Sequence, residues 1–455
     1  MTGSAGPIGR AGCERLADAA FAGVQGADLD VEVVIGRSVE GLTRFANSQV
    51  HQNVWRDDVG VTVRVVAPGG RAGVIEVHTD DPADVAVAAT SAAALARIAP
   101  EDPEYPGLAE AAEPGEVPVD EHTAAASPED RATAVRAILG EVPSAYEAAG
   151  AYRTCGSEVA VFTSAGQRAY APTSIANLWL VVMGESSSGW AEGGGRTMGD
   201  IDPAAAARTA LAKAIAGRDP VEVPAGSWPV VLEAPAVASM MQFLAYLGFG
   251  GRDWLEGRAF TSGRLGERAL DPRLTLTDDA LHPAATGLPF DYEGTPKQAV
   301  DLVREGVLAG VVHDRHSAKQ AGVVSTGHGL PAPNTSGPLA MDPVLKPGSD
   351  GSVDDLVGAC ERGLLVTRFH YTNVVHPKEA SITGMTRDGT FLIADGRITS
   401  AVRNLRFTQS LLAALEHIDG LSTSTAYASE IFGDGSRFPA LALPAFTFNS
   451  TTSFG

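Results

Sequence analysis

The sequence predicts an α+β protein: two small helix and antiparallel-sheet units at the N-terminal end, followed by a β-rich, barrel-like C-terminal domain. Three observations carry this expectation. Across residues 31–78 apolar positions recur with period two, in runs such as VEVVIGR, VGVTVRVV and RAGVIEVH, broken by a turn at Pro68-Gly69-Gly70. A helix–strands–helix order recurs over residues 127–217. Beyond residue 223 strand-like runs far outnumber helical ones, which favours a barrel or sandwich core. At 455 residues the chain is too long for one core. The expected division is a first α+β domain (1–99), a Pro- and acid-rich linker (100–126), a second α+β domain (127–222) and the β-rich domain (223–455).

The elements follow in order. Residues 11–26 have amphipathic helical spacing, and the strands named above come next. Asp81-Pro82 opens an Ala-rich helix, because proline in a first turn lacks only an N–H that would have no partner there. Residues 100–121 carry five prolines, many acids and no apolar period, so they read as linker. Ser127-Pro128-Glu129-Asp130 starts the next helix with a serine cap and an acid three residues on. Strands at SEVAVFTS, GQRAYAPTS and ANLWLVVMG follow, then a glycine-rich stretch, 184–199, that reads as a loop over a cleft or at a dimer contact. A helix over 203–217 closes the second unit. Further on come a hairpin about Gly306, helices at 352–362 and 405–418, and the strands RGLLVTRFHYTNVV, SITGMTRDGTFLIADGRI and RFPALALPAFTFNS.

Charge and composition narrow the function. Lys and Arg total 34 against 55 Asp and Glu, a net charge of −21, and no Lys/Arg run exists. Such a surface repels nucleic acid and anionic membranes, so direct binding to either is not expected. No run of 18 apolar residues and no secretory leader pattern occur, which implies a cytoplasmic protein. Cys13, Cys155 and Cys360 are odd in number and far apart, which fits a reducing compartment and excludes a C-x-x-C zinc pattern. Gly193-Gly194-Gly195 lacks phosphate-cradling spacing, and Ser186-Ser187-Ser188 lacks the G-x-S-x-G elbow of a serine hydrolase. Cys360 reads as a small apolar residue within a helix.

Residues 229–267 hold the most informative pattern: a short apolar strand, a helix opening at Pro235, then a Gly-rich charged segment. Val237, Met240, Met241, Leu244 and Leu247 recur at spacings of three and four and form an apolar stripe. Nothing in QFLAYL, residues 242–247, can shuttle a proton or complete a metal ligand set. The following Thr261-Ser262-Gly263-Arg264-Leu265-Gly266-Glu267, together with TRFANSQ near the start and DYEGTP, DRHSA, STGHG and RFHYTN later, resembles the TldD/TldE (PmbA) metalloprotease family of paired proteins. The resemblance implies that an H-E-x-x-x-H helix belongs before the TSGRLGE segment in the catalytic member. Gapless counting from Ser262 then puts Gln242 and Leu247 where the two histidines stand and Phe243 where the glutamate stands. Zinc binding and water activation need histidines and a carboxylate. The chain is therefore most similar to the non-catalytic TldE/PmbA member. The resemblance also implies that a C-terminal cysteine completes the zinc site of the catalytic TldD member, and residues 431–455 contain none.

What the resemblance implies is a cytoplasmic heterodimer with a TldD-like catalytic subunit that carries the zinc, acting on peptides or unfolded proteins. This chain would hold no cofactor and would shape the substrate cavity, with the partner contact in the third domain. Two other readings stay open: a stand-alone regulator of the gyrase-modulator kind, and an enzyme of a biosynthetic pathway with different chemistry. Candidate cleft residues are His313 and His316, an H-x-x-H pair where a strand ends in a loop, and Arg368, His370, Tyr371 and Asn373. Strand alternation puts Arg368 and His370 on one face and Tyr371 and Asn373 on the other. Such a strand either lines a cleft and pairs with a peptide backbone or forms a structural polar network.

Overall fold

The computed structural model describes residues 8–24, 28–429 and 434–451. Its N-terminal part is one antiparallel sheet. Helix α1 (Gly9–Gly23) leads into β1 (Asp30–Ala46), β2 (Gln49–Ala67) and β3 (Arg71–His78), and α2 (Pro82–Ala96) follows. After α3 (Glu121–Ala124), helix α4 (Pro128–Glu141), strands β4 (Glu147–Thr163), β5 (Arg168–Met183) and β6 (Ser188–Gly195) and helix α5 (Pro203–Ala216) repeat that order. Both expected units are present, and β1 joins them by pairing with β4 from Glu32↔Thr163 to Phe45↔Gly150. The strand order is β3-β2-β1-β4-β5-β6. Valines of β1 and β2 (Val33, Val61, Val63) bury against α1 and α2, while Leu178 and Leu180 of β5 bury against α4 and α5. Ser127 and Asp130 make the expected capping box on α4. The linker is pinned rather than loose: Arg315 Nη2 donates to the Leu108 carbonyl at 2.7 Å, and Leu108 is buried.

Two expectations for this half need correction. The first helix ends at Gly23, and residues 25–27 lie outside the described residues. The glycine-rich stretch is not a loop: residues 188–195 form β6, paired with β5 from Ala176↔Gly195 to Met183↔Ser188. Its glycines serve close approach. A Cβ on Gly189 would run into the Ala210 carbonyl of α5, and one on Gly194 into the Tyr427 ring.

The third domain is built on a closed ring of strands. Strand β7 (Gly226–Leu232) leads into the buried helix α6 (Ala234–Gly248) and then α7 (Gly251–Leu255). A small sheet of β8 (Leu276–Asp278), β9 (Val300–Arg304), β10 (Val307–Leu308) and β11 (Pro343–Leu345) flanks the ring, with α8 (Arg315–Ala321) between β10 and β11 and α9 (Val353–Ala359) after β11. Then come β12 (Arg362–His376), β13 (Ser381–Ala394), β14 (Arg397–Ala401), β15 (Leu405–Ser410), α10 (Leu411–Leu415), β16 (Gly420–Ala428) and β17 (Ser436–Thr451). β12 pairs β7, β7 pairs β17, β17 pairs β15, β15 pairs β13 and β13 returns to β12. That closure is the predicted barrel. Most of 405–418 is not helix, because Leu405, Phe407 and Gln409 alternate inward as a strand between β13 and β17. Helix α9 ends at Ala359, so Cys360 caps it rather than lying within it. Among the described residues no helix is long and apolar enough to cross a membrane.

Phe369, Phe407, Phe446 and Phe448 stack through the barrel interior, with Phe369 and Phe407 centroids 4.6 Å apart. Phe407 is fully buried. Phe407→Ala should therefore lower unfolding free energy by about 3–5 kcal/mol in urea titrations. A loss below about 1 kcal/mol would show that this ring does not carry the barrel.

Candidate functional site

Helix α6 is buried on every side but one. All its residues are inaccessible except Pro235, Ser239 and Tyr246, which with Gln242 follow spacings of four, three and four along one face. Pro235, Ser239 and Gln242 line a cleft of about 240 Å³ against Trp190, Glu192, Arg368, Phe369, His370, Tyr371, Thr372 and Ser429. Phe243 and Leu247 point elsewhere, into the apolar core with Met240, Leu244 and Phe249. Of the three positions singled out in QFLAYL, only Gln242 reaches the cleft.

The opposite wall is β12, which is irregular here. Its register against β13 slips between His370 and Asn373, and Tyr371 adopts a left-handed backbone (φ 51°). A bulge of this kind re-aims side chains. It brings Tyr371 to the cleft alongside Arg368 and His370, overriding the simple alternation expected from sequence. The Tyr371 ring is 72% exposed and lies 4.4 Å from the His370 ring. Asn373 does not line the cleft; its Nδ2 donates to the Tyr371 carbonyl at 3.1 Å. Burial, with help from Arg387 and Arg368, lowers the His370 pKa and keeps the imidazole neutral at neutral pH.

Arg368 is locked. Its Nε and Nη2 donate to Asp388 Oδ2 at 3.0 and 2.5 Å, and Asp388 Oδ1 accepts from Ser188 at 2.6 Å. The guanidinium lies 3.9 Å from the Trp190 ring centroid, a cation–π contact across the two halves of the protein. Glu192, also from β6, accepts from Ser429 Oγ at 2.5 Å. Burial pushes its carboxyl up to about 7, against the lowering effects of Ser429, Arg368 and Trp190. Sequence reasoning missed Trp190, Glu192 and Ser429. The strand period at SGWAEGGG was available but hidden by its glycines.

The H-x-x-H pair does not assemble. Asp314 caps α8, accepting from the Ser317 N–H, so the segment opens a helix instead of continuing a strand into a loop. His313 is buried edge-on to Trp254 and bonded to Ser317 Oγ at 3.1 Å; burial lowers its pKa. His316 faces outward, 3.4 Å from Asp102 of the linker. Neither lines the cleft. A separate buried polar junction lies beneath the N-terminal sheet. There His328 Nε2 meets Asp278 at 2.7 Å, Lys297 meets Asp342 at 3.2 Å, and burial raises Asp291 to about 6 and Glu293 to about 8. Its charges are paired or bonded to backbone, as buried charges must be.

Among the described residues no three His, Cys, Asp or Glu side chains converge as a metal site. At α6 the available groups are an amide, a phenyl ring and an isobutyl group, and zinc takes thiolate, imidazole or carboxylate. This donor set does not fit the metal. Residues 431–433 and 452–455 of the tail lie outside the described residues.

A closed β-ring with a buried helix and an adjoining double helix–sheet unit defines an α+β architecture whose buried helix α6 carries no histidine, cysteine or acidic side chain. The chain belongs to the PmbA/TldD family: the PmbA/TldA metallopeptidase C-terminal domain matches residues 225–450 and metallopeptidase domain 1 matches residues 31–99. It is 26% identical over 228 residues to a metalloprotease TldD homolog of Haemophilus influenzae, covering 48% of this chain and 46% of the relative. It is 26% identical over 170 residues to a metalloprotease of Methanothermobacter thermautotrophicus, covering 37% of each. The matches thus span less than half the length of these curated relatives. The fold is that of TldE from Thermococcus kodakarensis, with a TM-score of 0.88 at 20% identity, over 96% of this chain and 100% of that one.

The raised Glu192 pKa has a measurable consequence. Its native value near 7 exceeds the ordinary 4.5, so the native state favours the neutral carboxyl. That advantage is complete below about pH 4.5 and is lost as pH rises through 7. Glu192→Gln should accordingly raise unfolding free energy at pH 8 by on the order of 2 kcal/mol and leave it nearly unchanged at pH 4. Equal effects at both pH values would refute the assignment.

Proposed function

We propose that this chain is the non-catalytic, TldE/PmbA-like subunit of a cytoplasmic zinc metallopeptidase complex that processes or degrades peptides. The observation that carries the reading is the side-chain set of α6. Phe243 and Leu247 are committed to the core, and Gln242 alone meets the cleft. Such a helix can wall a peptide cavity but supplies neither a metal ligand set nor a general base. The relatives named metalloprotease, and the fold shared with TldE, support placing that wall in a peptidase context. Zinc and the activated water would come from a TldD-like partner in a heterodimer.

Among the described residues no strand pairs with the β7-facing edge of β12 beyond Val366. β7 pairs with β12 only from Leu364 to Val366, so residues beyond the bulge can offer backbone groups to an extended peptide. Tyr371, His370 and Arg368 would then contact its side chains. His313 and His316 have no part in this cavity.

Co-expression of this chain with a TldD-type catalytic subunit tests the proposal. The expected outcome is a stable 1:1 complex by size exclusion with light scattering, together with a change in the partner's peptide-cleavage rate when this chain is added. A partner whose rate and specificity are the same with and without this chain would remove the proposed role.

A further inference from the structure

The cleft beside α6 shares Trp190, Glu192 and Pro235 with a second cavity of about 410 Å³, lined also by Asp200, Asp202, Lys213, Glu233 and Arg437. The charges on these walls are unequally satisfied. Arg368 is neutralised by Asp388, and Lys213 by Glu233 at 2.6 Å. Asp200 and Asp202 are exposed and, among the described residues, accept from the backbone amides of Thr197 and Ala205. Glu192 has the Ser429 hydroxyl at 2.5 Å and no basic side chain within ion-pair distance among the described residues. Arg437, which reaches the Thr425 hydroxyl and carbonyl, is the positive group left on these walls. Around the larger cavity, then, three carboxylates without a salt-bridge partner among the described residues share their walls with one such cation, and of the three only Glu192 also lines the smaller cleft.

Aromatic side chains line the same cleft, with the Arg368 guanidinium stacked on one of them, Trp190. Trp190 lines both cavities, and the exposed Tyr371 ring stands beside His370 at the cleft. A carboxylate backed by aromatic faces in a partly desolvated cleft is a receptor for an ammonium or guanidinium group. A phosphate or carboxylate ligand would meet net repulsion there.

We propose that these two cavities take a basic peptide segment, with Glu192 as the counter-charge for a lysine or arginine side chain or a free amino terminus. The inference rests on the reading of the cleft as a peptide cavity and adds a preference that reading does not contain. Ser429 orients the Glu192 carboxylate, and the locked Arg368 holds Trp190 in place as one face of the site. A bound cation would favour ionised Glu192 over the neutral form that burial otherwise promotes.

The test uses the full chain, alone and in complex with its catalytic partner. The probes are N-acetylated, C-amidated alanine pentapeptides with lysine, glutamine or glutamate at the centre, and the glutamine peptide with a free amino terminus. Binding is read by calorimetry. The expected ranking in the unaltered protein is lysine over glutamine by about tenfold or more, with glutamate weakest. Glu192→Gln should collapse the lysine-to-glutamine ratio to about one. A gain confined to the free-amine peptide would identify the amino terminus as the bound cation. Equal affinity for lysine, glutamine and glutamate peptides in the unaltered protein overturns the charge assignment while leaving the peptide cavity standing, and so does a preference that survives Glu192→Gln. Binding of none of the peptides, by chain or complex, sinks the cavity reading and this inference together.

Discussion

The structure depends on the burial of α6 inside the mouth of the barrel. Met240, Met241, Leu244 and Leu247 pack against β12 and β17, and each such side chain contributes about 1.5–3 kcal/mol when removed from water. Only the face bearing Pro235, Ser239, Gln242 and Tyr246 escapes that packing. A histidine or glutamate at 243 or 247 would sit among apolar residues such as Met240, Leu244 and Phe249 unless the helix turned about its axis. The same packing leaves Gln242, of the three positions, as the one that lines the cleft.

The cleft is then a consequence of how two halves meet this helix. β6 brings Trp190 and Glu192 from the N-terminal sheet, and the bulge in β12 brings His370 and Tyr371 from the barrel. The Arg368–Asp388 pair joins them, since Asp388 also holds Ser188 of β6. Close approach of β6 to α5 and to Tyr427 demands glycine at 189 and 194. Small residues in one strand thus determine where a carboxyl group in the same strand can sit.

Much of this was legible in the sequence, and the failures have physical reasons. The capping boxes at Ser127 and Ser352 and the period-two runs fixed most elements, because they depend on local chemistry alone. Residues 405–418 misled because Leu405, Phe407, Leu411, Leu412 and Leu415 also suit a helical stripe; pairing on both sides decided for strand. The glycines of β6 read as a loop because their purpose lies in α5, distant in sequence. Of the residues the sequence offers for a cleft, Arg368, His370 and Tyr371 line one cavity, Asn373 does not, and His313 and His316, which spacing brings together, are separated by the α8 cap. Glu192 was invisible: a lone acid among glycines acquires its character only from burial and Ser429.

Zinc retention by the isolated chain tests the central claim most directly. After equilibration with excess zinc and passage over a desalting column, elemental analysis should find far less than one zinc per chain, with the same thermal melting before and after chelator. One zinc retained per chain, with a melting temperature that falls on chelation, would contradict the account, because α6 would then hold a metal its side chains have no means to grip.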